Sequence, residues 1–383
     1  MSEILDEKGV FWHGIPHPKD RSTCKVHLIQ AGGLTLPNSL VLLPAPDTPG
    51  PTFSSTEETN KDNFYVPDFC FLIEHPPSGS KYINDLGMRK DLENYPPAVV
   101  KHMLPNFKCF PESPAEIIQT HAFKEHPLTS IKAVIFSHLH FDHVGDAGAA
   151  GFQHAELWVG PTSMTRARPG YPIDPQSSNW SKDFPTDGSK KIIELTLPDA
   201  LLESQNDSRL AQLRESRASG KYDAVERRIP SSGWLALGSF DHACDLFGDG
   251  SAYAIDAPGH MPGHMMLLLR VRIDESSADN DDFVLLAGDC YHHPALLRDP
   301  RLTARPPYSK RSMHEDPDRA VDTMLRTRVF AQRHNVWVVG AHDPLVLEAV
   351  NSGKNPVKGL ITIDGWRREG WKDFHGPDPG NLS

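Results

Sequence analysis

Apolar positions along this chain come in short runs, and most runs close on a turn residue. "DFCFLIEH" (68–75) followed by "PPSGSKYIND" predicts a strand, a tight turn and a second strand. Residues 25–43, KVHLIQAGGLTLPNSLVLL, predict two short strands about a Gly-Gly turn. "IKAVIFSH" and "AELWVG" (155–160) predict two more, and "SAYAIDAPGH" (251–260) predicts a strand that ends in a Pro-Gly turn. "MMLLLRVRI" and "DFVLLAGD", separated by the acidic "DESSADND", predict a hairpin. Helical spacing marks "SPAEIIQTHAF" (113–123) and "DPDRAVDTMLRTRVFAQRH" (316–334). In the second, Asp316 suits the N-cap and Pro317 the first helical position. It leads into a strand, "NVWVVGAH".

Residues 161–230 break this rhythm, within an expected insertion at about 161–250. They are rich in Pro, Ser and Asp and then turn polar and helical in "LLESQNDSRLAQLRESRASGKYDAVERR". A surface insertion with one or two helices is expected there, either a lid or pocket wall or a plain surface decoration. Trp180, Phe184, Tyr222 and Trp234 are its candidate apolar side chains. The expected organisation is an N-terminal extension at 1–24, one domain at 25–365 carrying that insertion, and a C-terminal tail at 366–383.

Several predicted strands stop at His or Asp: His138, His260, Asp289 and His342. A side chain at a strand end is held by the sheet yet open at its edge. The stretch "SHLHFDH" carries His138, His140, Asp142 and His143 within six positions. Imidazole nitrogen and carboxylate oxygen are the usual ligands of zinc and its neighbours. Four such groups are too many for one catalytic ion that keeps an open position; they suit two ions close together. Leu139 and Phe141, interleaved, are placed to pack beneath.

Four separated motifs resemble the metallo-β-lactamase superfamily. "SHLHFDH" is similar to its H-x-H-x-D-H, "APGHMPGH" (257–264) to its P-G-H turn, "LLAGDCYHH" (285–293) to its strand ending in G-D, and "VVGAHDP" (338–344) to its final G-H. The upstream hairpin departs from the family's D-x-G turn by reading Asn84-Asp85-Leu86-Gly87. The resemblance implies an α+β fold, a four-layer αβ/βα sandwich with a two-metal site at one sheet edge. It implies that His138, His140 and His260 hold one ion, that Asp142, His143 and His342 hold the other, and that Asp289 bridges them. Zinc is the expected ion. His264 is expected to pack or to hydrogen-bond a ligand, Cys290 to be a small buried residue, and His292 and His293 to hold no metal. Asp142 and Tyr291 are the catalytic candidates: Asp142 as a proton acceptor, Tyr291 because lactonases of this superfamily carry a Tyr near that point.

Two metals would generate a bridging hydroxide at neutral pH and polarise a carbonyl. The resemblance is greatest to the lactonase and γ-lactamase branch, so the expected reaction is ring-opening hydrolysis of a cyclic ester or cyclic amide by that hydroxide. A thioesterase of glyoxalase II or acyl-carrier type is an alternative, with "RARPG" and "RLTARPPYSKR" (301–311) as its candidate basic patches. An iron-dependent redox protein on the same fold is another.

Composition narrows the partners. The formal net charge is -11, which disfavours nucleic acid and anionic lipid surfaces. No apolar run approaches the roughly 18 residues needed to span a bilayer. The opening residues, MSEILDEKGVFWHG, have no basic and apolar leader pattern. Five scattered cysteines without a C-x-x-C fit a reducing compartment. A cytoplasmic enzyme acting on a small molecule is expected; the oligomeric state is left open.

Overall fold

The apolar runs become two sheets. This computed structural model describes residues 10–43, 63–147, 151–275, 280–351 and 359–373. The larger sheet takes eight strands in chain order: β1 (Lys25–Pro37), β2 (Asn63–His75), β3 (Ser80–Asn84), β4 (Cys109–Pro111), β5 (Ile131–Ile135), β6 (Glu156–Val159), β7 (Ile192–Leu195) and β8 (Val225–Arg228). The smaller sheet follows with β9 (Leu235–Leu237), β10 (Phe240–Asp245), β11 (Ala252–Asp256), β12 (Met265–Arg272), β13 (Asp282–Gly288) and β14 (Val336–Gly340). Strand β15 (Leu360–Thr362) returns to the larger sheet. Strand orders are β15-β1-β2-β3-β5-β6-β7-β8, with β4 beside β1, and β14-β13-β12-β11-β10-β9. The hairpins β2–β3 and β12–β13 are antiparallel, whereas β3, β5, β6, β7 and β8 run parallel, as do β13 and β14.

A strand covered on both faces must be apolar at consecutive positions. Strand β2 is such a case. Phe69, Phe71 and Ile73 face one cluster, and Cys70 and Leu72 face another. The first cluster joins the sheets, since it also holds Val26 and Leu28 of β1 and Leu267, Leu269, Val284 and Leu286 of the smaller sheet. The second backs the larger sheet with Ile118 of the helix Pro114–His121. On the other face of the smaller sheet, Met266, Leu268, Phe283 and Leu285 meet Ala320, Val321 and Met324 of the helix Pro317–Gln332. Helix, sheet, sheet, helix: the chain is an αβ/βα sandwich of the α+β class. Asp316 does cap that last helix, accepting the Arg319 amide at 3.2 Å.

Three expectations are corrected. Residues 25–37 form one long strand, and its Gly pair is a bulge between Gln30 and Gly33 instead of a turn. Gly32 has φ +91°, and a Cβ there would meet the Phe110 carbonyl of β4. Residues 161–250 are built into both sheets through β7, β8, β9 and β10. Their strands are only three to six residues long, too brief to show a period amid polar sequence. Tyr222 and Trp234 serve as anchors there: the Tyr222 hydroxyl donates to Glu194 at 3.1 Å and the Trp234 indole to the Thr196 carbonyl at 2.9 Å. The chain ends are less peripheral than composition suggests. Trp12 packs edge-on against Phe330, and Trp366 is buried beside Trp337. Residues 1–9 and 374–383 of the expected extension and tail, and part of the acidic loop, lie outside the described residues.

Candidate metal centre

Strand ends deliver the chemistry. His138 follows β5, His260 follows β11, Asp289 follows β13 directly, and His342 follows β14. The "SHLHFDH" stretch leaves β5 as a turn and closes into one helical turn, Phe141–Val144, in which the His143 and Val144 amides bond the His140 carbonyl. Leu139 and Phe141 are buried under it. Gly145 has φ +55°, and a Cβ there would lie 2.8 Å from Leu86 Cβ, so the chain can leave the turn only through glycine.

All seven expected ligands converge. His138 Nε2 lies 3.1 Å from His140 Nδ1 and 3.1 Å from His260 Nε2, and His260 Nε2 lies 2.9 Å from His140 Nδ1. Asp289 Oδ2 faces this trio, at 3.4 Å from His260 Nε2 and 3.7 Å from His138 Nε2. Its other oxygen, Oδ1, faces the second set, at 3.2 Å from His143 Nε2 and 3.3 Å from His342 Nε2. His342 Nε2 in turn lies 3.5 Å from Asp142 Oδ2. Within each set the ligand atoms all lie within 4.8 Å of one another. Three of these atoms, His143 Nε2, His342 Nε2 and Asp289 Oδ1, are buried without a hydrogen-bond partner. Lone pairs that meet at ion-pair distance yet do not hydrogen-bond are what ligands around a common cation leave behind. The donor set fits two divalent ions.

Neighbours fix the tautomers. Asp85 accepts the Ser137 amide at 2.7 Å, the Ser137 hydroxyl at 2.6 Å and His143 Nδ1–H at 3.0 Å. This turns His143 Nε2 inward and pins the start of the turn. His342 Nδ1–H donates to the Pro67 carbonyl at 2.8 Å. His264 donates to the Ala257 carbonyl at 2.7 Å and accepts the Asp289 amide at 3.1 Å, so it joins the P-G-H turn to the end of β13 and ligates nothing itself.

The electrostatics divide along the same line. Burial, helped by the surrounding imidazoles, pushes His138 and His260 well below the usual histidine range, into the neutral form that binds metal. Burial acts the same way on His143 and His342, but Asp289 and the hydrogen-bonded carboxylates outweigh it. His143 is raised well above its ordinary value and His342 to about 9. A metal ion competes with those protons for the same lone pairs. Burial would raise Asp289, yet the ring of histidines holds it well below the carboxylate range. Asp68, buried nearby with neither oxygen hydrogen-bonded, is pushed up to about 8 by burial.

Other expectations fare differently. The Tyr291 hydroxyl is committed: it donates to Asp343 at 2.8 Å and accepts the Gly340 amide at 3.1 Å, with its ring in the core. It braces the end of β14, with its ring packed against Gly340. Cys290 is buried against Thr327, and burial pushes its thiol up to about 12. His293 caps the helix Pro294–Arg298. His292, for which no metal role was expected, is buried with Nε2 3.0 Å from Asp289 Oδ2. His314 carries no spacing signal, yet its Nδ1 lies 3.2 Å from His260 Nδ1. Asp85 had a signal, the departure at Asn84-Asp85-Leu86-Gly87.

A cavity of about 540 Å³ lies between Arg168–Ile173, Ser181–Asp187 and Ser219–Lys221 and includes Phe184 but none of the ligands. Trp180 ties the same region to Asn94 through a 3.0 Å hydrogen bond, and Asn179 donates to the Leu139 carbonyl at 3.3 Å.

No family model matches this sequence. Among curated proteins, "Gamma-lactamase MBL2" of Gibberella moniliformis is 30% identical over 222 residues, which is 58% of this chain and 75% of that one. "Cytochrome P450 monooxygenase mpaDE" of Penicillium roqueforti is 28% identical over 324 residues, 80% of this chain; the match spans only 32% of that much longer protein. An N-acyl homoserine lactone hydrolase, solved with its product N-hexanoyl-L-homoserine at the catalytic metal centre, shares the fold with a TM-score of 0.52 at 16% identity, over 89% of this chain and all of its own. The four motifs, the sandwich and the γ-lactamase likeness agree: the chain belongs to the metallo-β-lactamase superfamily, in the branch of the lactonases and γ-lactamases.

Proposed function

We propose that this protein is a two-metal hydrolase that opens the ring of a cyclic ester or cyclic amide. One observation carries the reading: the two oxygens of buried Asp289 divide between two ligand sets, one of three histidines and one of Asp142, His143 and His342. His138, His140 and His260 would hold one ion, Asp142, His143 and His342 the other, with Asp289 between them. Bound there, divalent ions supply a nucleophilic water at neutral pH and polarise the substrate carbonyl.

The chain's own residues set the stage. The neutral His138 and His260 offer lone pairs without first losing a proton. Asp85 and the Pro67 carbonyl hold His143 and His342 in the tautomers that point Nε2 inward. Asp142 is the ligand carboxylate of the second set and is mostly buried, so it is placed to accept a proton as the ring opens. Zinc suits a set of imidazole and carboxylate donors. A small-molecule substrate in a reducing, cytoplasmic setting accords with the five free cysteines, four of them buried. Among the described residues, no helix is long and apolar enough to cross a membrane.

The test is proton release by the zinc-loaded protein with γ-lactones of varied acyl length, aromatic γ-lactams, β-lactams and acyl thioesters. Turnover of a lactone or lactam, lost in His138→Ala and Asp289→Asn, is the expected result. Turnover of thioesters alone would replace the reading by a thioesterase. A purified protein holding two irons and no zinc would replace it by a redox protein.

A further inference from the structure

A second cluster of three imidazoles adjoins the first. In the first trio, His138, His140 and His260 have ring centroids 4.6 to 4.8 Å apart and facing nitrogens 2.9 to 3.1 Å apart. A second trio shares His260. Its ring centroids are 5.1 Å (His260–His292), 5.2 Å (His260–His314) and 5.2 Å (His292–His314) apart, an almost equilateral triangle. His260 Nδ1 and His314 Nδ1 face each other at 3.2 Å. Three imidazoles at about 2.0–2.1 Å from a tetrahedral ion have nitrogens roughly 3.3 Å apart. All three side chains are buried, and one ligand atom from each lies within 4.8 Å of the others. His292 Nε2 lies 3.0 Å from Asp289 Oδ2, and its Nδ1 is a buried nitrogen with no hydrogen-bond partner.

We propose that His260, His292 and His314 form a third metal-binding position, joined to the two-ion centre through the two ring nitrogens of His260. This rests on the proposed ligand roles of the first two sets. An all-imidazole donor set selects zinc, cobalt or copper over magnesium or calcium. His260 then bridges two ions, and its remaining ring proton leaves to solvent as the third ion binds. The ion acts as a staple. His314 rides on the segment 299–316, which crosses from the end of the helix Pro294–Arg298 to the start of Pro317–Gln332. Binding fixes that segment to the end of β13 through His292.

The test is a metal titration of the chelator-stripped full chain with cobalt and with zinc, counting equivalents by equilibrium dialysis and following the cobalt absorption bands. The wild type is expected to take three equivalents. His314→Ala and His292→Ala, each with a wild-type circular dichroism spectrum, are expected to take two. His314→Gln separates a ligand from a hydrogen-bond partner: the amide still meets the His260 ring N–H, and two equivalents are expected. A wild type that stops at two overturns this inference and leaves the proposed function intact. So does a third equivalent that survives in both alanine variants, or one that His314→Gln restores. Fewer than two in the wild type would take down both readings.

Discussion

Two segments frame the centre and reach it by opposite means. The turn 137–145 is continuous with β5, and its ligands are neighbours in sequence. The segment 299–316 contributes one imidazole, His314, and is held by scattered backbone bonds to distant parts of the chain. Its Ala304 and Met313 amides bond the Val41 and Leu40 carbonyls, and its Glu315 and Asp316 amides bond the His260 and Gly259 carbonyls. The turn is fixed by a buried carboxylate, Asp85, that satisfies three donors at once. The difference teaches that a site can combine a locally encoded half with a half that exists only once the fold is complete.

Substitutions can break that contrast or sharpen it. The largest effect is expected in the turn itself. His143→Ala should cost on the order of 10³-fold in turnover, since losing a ligand forfeits several kcal/mol of charge stabilisation; elemental analysis should show about one ion fewer per chain than in the wild type. Asp85→Ala comes next, with metal affinity weaker by about 10–100-fold in a chelator competition, the usual cost of losing a partner that orients a ligand. In the crossing segment, buried Arg305 donates to the Arg301 and Thr303 carbonyls. Arg305→Ala should loosen that segment by about 1–3 kcal/mol, the cost of leaving buried carbonyls unpaired. Limited proteolysis should then cut within 303–313 faster, with a smaller change in metal affinity than Asp85→Ala gives. If the two variants exchange these outcomes, the division between the segments is wrong.

A pH experiment probes the anchor beyond the segment. Asp207 receives hydrogen bonds from Arg209 at 2.9 Å and from Arg319 at 2.8 Å. Burial raises its carboxyl, but these bonds outweigh it and hold it well below the usual range. A folded pKa lowered below the unfolded value of about 3.9 stabilises above that value and loses the contribution as pH falls through the folded one. The gap in urea midpoint between wild type and Asp207→Asn should therefore be full at pH 7 and shrink below about pH 4; a constant gap would remove Asp207 from the account. The smallest effect is expected for Asp316→Ala, about 1 kcal/mol in thermal stability from the lost helix cap.

Much of this was legible in the sequence where the cause was local. The long helix, its Asp316 cap and the hairpin 68–84 follow from period and turn chemistry alone. So do the strands that stop at His138, Asp289 and His342, because a strand exit constrains the side chains next to it. Tyr291 marks the limit of that reading, because one residue's difference past a strand end decides between pocket and core. His314 was invisible because its place depends on backbone bonds to residues 40 and 41 and to the P-G-H turn, far away in sequence. The strands of 161–250 escaped because each borrows its stability from a sheet already formed.

The ligands do not come from one sheet. His138, His140, Asp142 and His143 leave the larger sheet through β5, whereas His260, Asp289 and His342 leave the smaller one. The centre is therefore a seam. Ions bound across it are linked to folding of the whole sandwich, and each tenfold rise in free metal above the dissociation constant adds about 1.4 kcal/mol to the native state. Metal supply would then tune the stability of the folded protein as well as its activity.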